Sequence, residues 1–155
     1  MLLSFHKINQ LEWSMDVRVH WAGGAAFIGE SPGGHKIVMD GPAEGGGRDL
    51  GVRPMEMLLL GMGGCTGYDV VSILKKARQE VTGCRVDIRA ERADSIPSVF
   101  TNIHVHFTVS GAGLSEKQVE RAVNLSAEKY CSASIMLGKT AKLSHSFEVE
   151  ELASG

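Results

Sequence analysis

Cys65 is the residue in this sequence best suited to chemistry. It follows Gly63-Gly64 in an apolar helical stretch, where small neighbours leave its sulfur open to whatever packs alongside. An isolated cysteine in such a stretch is more often a packing residue, because cysteine is among the most buried side chains. Cys131 lies 66 positions later, on a second predicted helix. Two buried helices with one cysteine each can bring their sulfurs together, a juxtaposition that patterning leaves open. Cys84 follows a glycine at the start of a predicted strand and reads as structural. His104 and His106 are two apart on a strand and share one face. With Asn102 and Thr108 they form an ordinary solvated polar face, and with no third ligand evident nearby a metal site is the weaker reading. Gly45-Gly46-Gly47 invites comparison with phosphate-binding loops, but it lacks the lysine and spacing of a P-loop and the GxGxxG pattern. Arg48 and Arg53 beside it can supply positive charge to a site at the start of the next helix; solvated loop arginines are the commoner outcome.

Patterning supplies the elements that must position these residues. Val17, Val19 and Trp21 alternate with Arg18 and His20, which predicts a half-buried strand. Gly23-Gly24 turns it into a strand over Ala25–Glu30, and Ser31-Pro32-Gly33-Gly34 into another over His35–Asp40, an antiparallel meander. Residues 41–53, GPAEGGGRDLGVR, read as a flexible loop. Pro54 then stands in the first turn of a helix over Met55–Val81. Its first half, MEMLLLGMGGC, is apolar on every side and predicts a buried helix; Val70, Leu74, Ala77 and Val81 share one face of its second half. Gly61, Gly63, Gly64 and Gly67 each cost about 1 kcal/mol against alanine in an exposed helix interior, and are tolerable where another helix approaches closely or the helix bends. Gly83 ends that helix, and strands follow over Arg85–Glu91 and Phe100–Ser110. Ser115-Glu116-Lys117-Gln118 is a capping box opening a second helix through Leu137, with Val119, Ala122, Val123, Ser126 and Tyr130 on its inner face. A last strand over Ala141–Glu150 completes the order βββ-α-ββ-α-β, an α+β fold.

At 155 residues, 43% hydrophobic and 22% charged, the chain can bury one core. The net charge of -2 gives no global reason to bind nucleic acid or an anionic membrane. Three cysteines so far apart exclude a disulfide scaffold and a CxxC zinc site. The longest apolar run, Met57–Met62, is far shorter than a membrane span of about 20 residues. Residues 1–14, MLLSFHKINQLEWS, show neither strand alternation nor the features of a secretory signal; they read as an N-terminal extension dispensable for a single domain over 15–155. The expected location is the cytoplasm.

PMEMLLLGMGGCTGYDVVSIL at 54–74, LSAEKYCSASIML at 125–137, and WAGGAAFIGE and HKIVMDGP between 21 and 42 together resemble the OsmC/Ohr family over about residues 15–150. PMEMLLL and AEKYC are most similar to its YhfA-like branch. The resemblance implies antiparallel sheets wrapped around two central helices in an intertwined homodimer. It also implies reduction of organic hydroperoxides, with Cys65 as the attacking thiolate and Cys131 as the resolving thiol, and with no metal or cofactor. The partners it implies are a second copy, an organic hydroperoxide or another small apolar molecule held among Met, Leu and Phe side chains, and a thiol reductant, a lipoylated protein in the characterised peroxidases. Those peroxidases activate the thiolate with an arginine after the first GG pair, held by a glutamate after the helix-start proline. Ala25 and Met55 stand at these positions here, and Glu56 with Arg48 or Arg53 are assigned as their replacements. The competing reading is a non-catalytic dimer that binds a small apolar ligand. Metal binding at His104 and His106 ranks below both.

Overall fold

The structure, a computed structural model, describes residues 15–153. The expected extension over residues 1–14 lies outside them. The chain divides into two compact units between Met57 and Leu58.

In the first unit β1 (Arg18–Trp21), β2 (Phe27–Glu30) and β3 (Lys36–Met39) form the expected antiparallel meander in the order β1-β2-β3. Trp21 folds its indole N–H back onto the Gly24 carbonyl at 2.8 Å. Val17, Val19 and Trp21 are exposed rather than half-buried, because no described residue covers that row. The segment after β3 is built, not loose. Asp40 is buried, and its carboxylate accepts the backbone N–H groups of Gly41 (2.8 Å), Arg48 (2.8 Å) and Leu50 (3.1 Å). The glycines of this segment answer to packing. A Cβ on Gly47 would fall on the carbonyl oxygen of Gly41, so only glycine fits there.

Helix α1 runs over Pro54–Lys76 and ends before the expected Val81. Arg78 takes the left-handed conformation (φ 58°), Arg78 N–H bonds to the Lys75 carbonyl and Gln79 N–H to the Leu74 carbonyl. These are the two bonds of a Schellman stop, which frees Val81 for the next strand. Gly83, expected to end the helix, lies inside that strand beside a register shift.

The second unit holds a sheet of β4 (Glu80–Arg92), β5 (Phe100–Ala112) and β6 (Lys142–Glu151) in the order β4-β5-β6. β4 and β5 are antiparallel, with Val86 opposite Phe107. β6 runs parallel to β5, with Phe147 beside Phe107, so the strands are not all antiparallel as expected. A parallel partner needs a long crossover, and here helical segments supply it: α2 (Glu116–Leu125), a π-helical turn over Ser126–Tyr130, and α3 (Ser132–Leu137). The predicted second helix is therefore broken at Cys131. Its capping box is only half formed. Ser115 Oγ accepts Gln118 N–H at 3.4 Å, but the Ser115 N–H goes to the side chain of Gln79 at 2.8 Å.

Phe107, Ile103 and Val109 of β5, Met62, Val70 and Leu74 of α1, and Val119 and Val123 of α2 form the core. α1 approaches β4 closely at two glycines: a Cβ on Gly63 would stand 3.2 Å from Ile88, and one on Gly67 3.3 Å from Val86. The close neighbour is thus a strand, not the expected helix. Gly61 and Gly64 face open space, and Leu58 and Leu60 are 49% and 55% exposed, so the described residues do not bury the apolar first half of α1 all round. By length and composition α1 would suffice to cross a membrane, its mean hydropathy reaching 1.5 over 18 residues, because glycine and threonine interrupt the apolar run without making it polar. In this fold its buried residues, Met62, Thr66, Val70 and Leu74, recur every four positions on one face, as in the core helix of a globular unit.

Candidate functional site

Cys65 and Cys131 come together. Cys65 lies mid-way along α1, half-buried, and Cys131 is fully buried at the break between the π-helical turn and α3. Both are free thiols. Asp69 joins them: the two sulfurs and an Asp69 carboxylate oxygen lie within 4.8 Å of one another.

The local backbone explains this convergence. Cys65 and Asp69 are four residues apart on α1, so one helix face presents both. On the other side, a wide turn of backbone over Ser126–Tyr130 carries the chain from α2 to α3 and leaves Cys131 extended (φ -74°, ψ 101°) at the start of α3. There its Sγ accepts the Ser134 N–H at 3.4 Å. Local π-helical geometry is rare and is often found at functional sites.

Buried polar contacts fix the two segments to each other. Thr66 Oγ1 and Ser126 Oγ are 2.7 Å apart, and Ser126 Oγ is 3.2 Å from Asp69 Oδ2. Ser126 donates to Asp69 and, at 3.4 Å, to the Thr66 carbonyl, which leaves Thr66 Oγ1 to donate to Ser126 Oγ. The chain Thr66–Ser126–Asp69 therefore holds the carboxylate beside the sulfurs. Burial pushes the Cys131 thiol up from its ordinary range; hydrogen bonding from Ser134 pulls it partly back, and the neighbouring Cys65 adds to the rise. Asp69 also lines a cleft of about 490 Å³ with Tyr68, Lys76, Arg121, Leu125 and Tyr130 among its walls. Tyr130, expected on the inner face of the second helix, is 51% exposed because the π-helical turn rotates it outward.

Cys84 and the two histidines lie outside this cluster. Cys84 is half-buried on β4, opposite Val109 and outside the cluster, and burial raises its thiol pKa as well. His104 bonds Ser144 (2.7 Å) and Ser146 (2.9 Å), while His106 bonds Ser146 (2.8 Å) and stands 3.5 Å from Glu148. They form the polar face expected of them, and among the described residues they belong to no group of three metal-binding side chains. Arg48, Arg53 and Glu56 belong to the first unit. Arg48 gives its N–H to Asp40. Arg53 directs its guanidinium to the carbonyls of Asp40 (3.4 Å) and Gly41, and its N–H to the Glu56 carboxylate at 2.9 Å, which caps the start of α1.

Sequence reasoning missed Asp69, Thr66 and the polar role of Ser126. The i, i+4 spacing of Cys65 and Asp69 was a usable signal for the first. Ser126 gave none, standing among apolar residues at helical spacing.

A family model described as "OsmC-like protein" matches residues 45–146. Protein YhfA of Escherichia coli K12 is 49% identical over 135 residues, covering 87% of this chain and 98% of the relative. A crystal structure of a hypothetical protein from Aquifex aeolicus is similar with a TM-score of 0.80 at 31% identity, over 91% of this chain and 99% of that one. An organic hydroperoxide resistance protein OsmC from Legionella pneumophila shares the fold with a TM-score of 0.66 at 17% identity, over 89% of this chain and 98% of that one.

Proposed function

Because this chain belongs to the OsmC-like family, we propose that it reduces organic hydroperoxides through Cys65 and Cys131, as part of defence against oxidative stress. The observation that carries this reading is the approach of the two free sulfurs to within 4.8 Å. A disulfide needs about 2.05 Å between sulfurs, a gap that side-chain rotation and a small backbone shift can close. The hydroperoxide resistance ascribed to a protein of the same fold supports it.

Cys65 takes the attacking role because it is the more accessible thiol, whereas Cys131 is fully buried. The Cys65 thiolate attacks the outer peroxide oxygen. The O–O bond breaks, the alkoxide leaves and is protonated to an alcohol, and Cys65 becomes a sulfenic acid. Cys131 gives up its proton and displaces the hydroxyl as water, closing the disulfide. An external dithiol, such as a lipoylated protein, returns both thiols; this cycle belongs in a reducing compartment, and we place the protein in the cytoplasm. Arg48, Arg53 and Glu56 remain the proposed activating residues. Methionine in place of Arg48 or Arg53 then slows oxidation most near neutral pH, with recovery as alkali ionises the thiol.

Thiol titration before and after one equivalent of an organic hydroperoxide tests the cycle. The parent and Cys84→Ser lose two thiols per chain. Cys65→Ser loses none through this route, and Cys131→Ser stops at a sulfenic acid that a dimedone-type reagent traps. Equal, slow consumption by the parent and Cys65→Ser overturns the reading. The cleft of about 490 Å³ beside Asp69 favours the second one, a non-catalytic dimer binding a small molecule; saturable ligand binding with unchanged thiols would establish it.

A further inference from the structure

We infer that the reduced protein binds one zinc ion between Cys65 Sγ, Cys131 Sγ and the Asp69 carboxylate. The three donor atoms lie within 4.8 Å of one another. Tetrahedral zinc at about 2.3 Å from sulfur and about 2.0–2.2 Å from oxygen places its donors about 3.4–3.8 Å apart, so small side-chain adjustments complete the site. Cys65 and Asp69 come from one face of α1 at i, i+4, a spacing by which a helix offers two ligands to one ion. Cys131 comes from a separate segment.

Two features make this a prepared site rather than a chance cluster. Ligand orientation is fixed from outside: Ser126 holds the carboxylate at 3.2 Å, and the Ser134 N–H holds the Cys131 sulfur at 3.4 Å. The carboxylate is also available to a cation. Among the described residues no basic side chain forms an ion pair with Asp69. A divalent ion would deprotonate the two thiols and hold them with the carboxylate as three ligands. Thiolates exclude magnesium and calcium by softness, and the S2O donor set suits zinc. Asp69 lines the cleft as well, so the carboxylate side of the site is reached from there, and water would serve as the fourth ligand.

The site uses the thiols of the proposed peroxide cycle but does not depend on that cycle. Disulfide sulfurs carry no thiolate charge, so zinc occupancy and oxidation exclude each other.

The test is made on the full-length chain, reduced and stripped of metal, without peroxide, so that its failure leaves the peroxide reading untouched. Titration with zinc chloride against a chromophoric chelator is expected to show one ion per chain. Cys65→Ser, Cys131→Ser and Asp69→Asn should each weaken binding more than about tenfold, while Cys84→Ser should bind as the parent does. Cobalt(II) in place of zinc should give thiolate-to-metal charge-transfer bands and visible bands of tetrahedral intensity, lost in both cysteine variants. Circular dichroism identifies any variant that fails to fold, and the cobalt spectrum of the parent stands independently of the variants. Sub-stoichiometric zinc in the parent, binding indifferent to all three substitutions in folded variants, or a cobalt spectrum without thiolate bands overturns the inference.

Discussion

Asp40 is a buried carboxylate whose neighbours are mostly backbone N–H groups, and that environment fixes both its charge and its purpose. The Arg48 and Leu50 N–H groups hold its carboxyl below the usual aspartate value of 3.8, burial opposes them, and the Gly41 N–H and the Arg48 charge add to the lowering. A group whose folded pKa is depressed contributes stability above its unfolded value. That contribution is lost as pH falls from about 3.8 through the lower folded value. Asp40→Asn keeps the shape but cannot accept all three N–H groups with a charged carboxylate. Its melting temperature should fall at neutral pH, and the gap from the parent should narrow as acid takes the parent through that window. Thermal melts of both proteins across the acid range measure this; a gap that stays constant with pH would show that the ionised carboxylate contributes nothing.

At the scale of elements, the run Gly45-Gly46-Gly47 separates packing from flexibility. A Cβ on Gly45 would meet only Pro42 at 3.7 Å, ordinary contact, whereas one on Gly47 would fall on the Gly41 carbonyl. Gly45→Ala should therefore leave stability nearly unchanged, while Gly47→Ala should cost more than about 2 kcal/mol, because backbone must shift. Denaturant midpoints compare the two, and equal effects would contradict the close approach. No sequence pattern distinguishes these two glycines of one run, since the difference lies in a contact with Gly41. The strands were legible because alternation in Ile103, Val105, Phe107 and Val109 is a local property of one polar and one buried apolar face. The end of α1 was not, because Val81 continues the helical pattern and a left-handed Arg78 stops it. The break at Cys131 was hidden likewise: Val119, Ala122, Val123 and Ser126 do share a buried face, and the backbone widens only from Ser126 onward. The cysteine pair was legible through the two quoted motifs, whereas Asp69 becomes a site residue only when Cys131 arrives from another segment.

At the scale of the whole molecule, α1 presents a surface that the described residues leave uncovered. Leu58, Leu60 and Tyr68 are exposed, and Gly61 and Gly64 between them meet no atom on which a Cβ would press. Apolar side chains beside glycines allow a second backbone to approach closely, and leaving them in water forgoes about 25 cal/mol for each Å² that could be covered. We therefore propose that two copies associate through this face, in a homodimer burying more than about 2,000 Å² in total. Light scattering of the parent should give twice the chain mass at micromolar concentration. Leu60→Lys places a charge in the proposed contact, and Gly64→Leu fills the space a partner would occupy. Leu60 is 55% exposed and a Cβ on Gly64 meets nothing within 4 Å, so each variant should fold and yet dissociate to monomers on dilution. A parent that is monomeric at micromolar concentration, or variants as fully dimeric as the parent, would remove this face from the assembly.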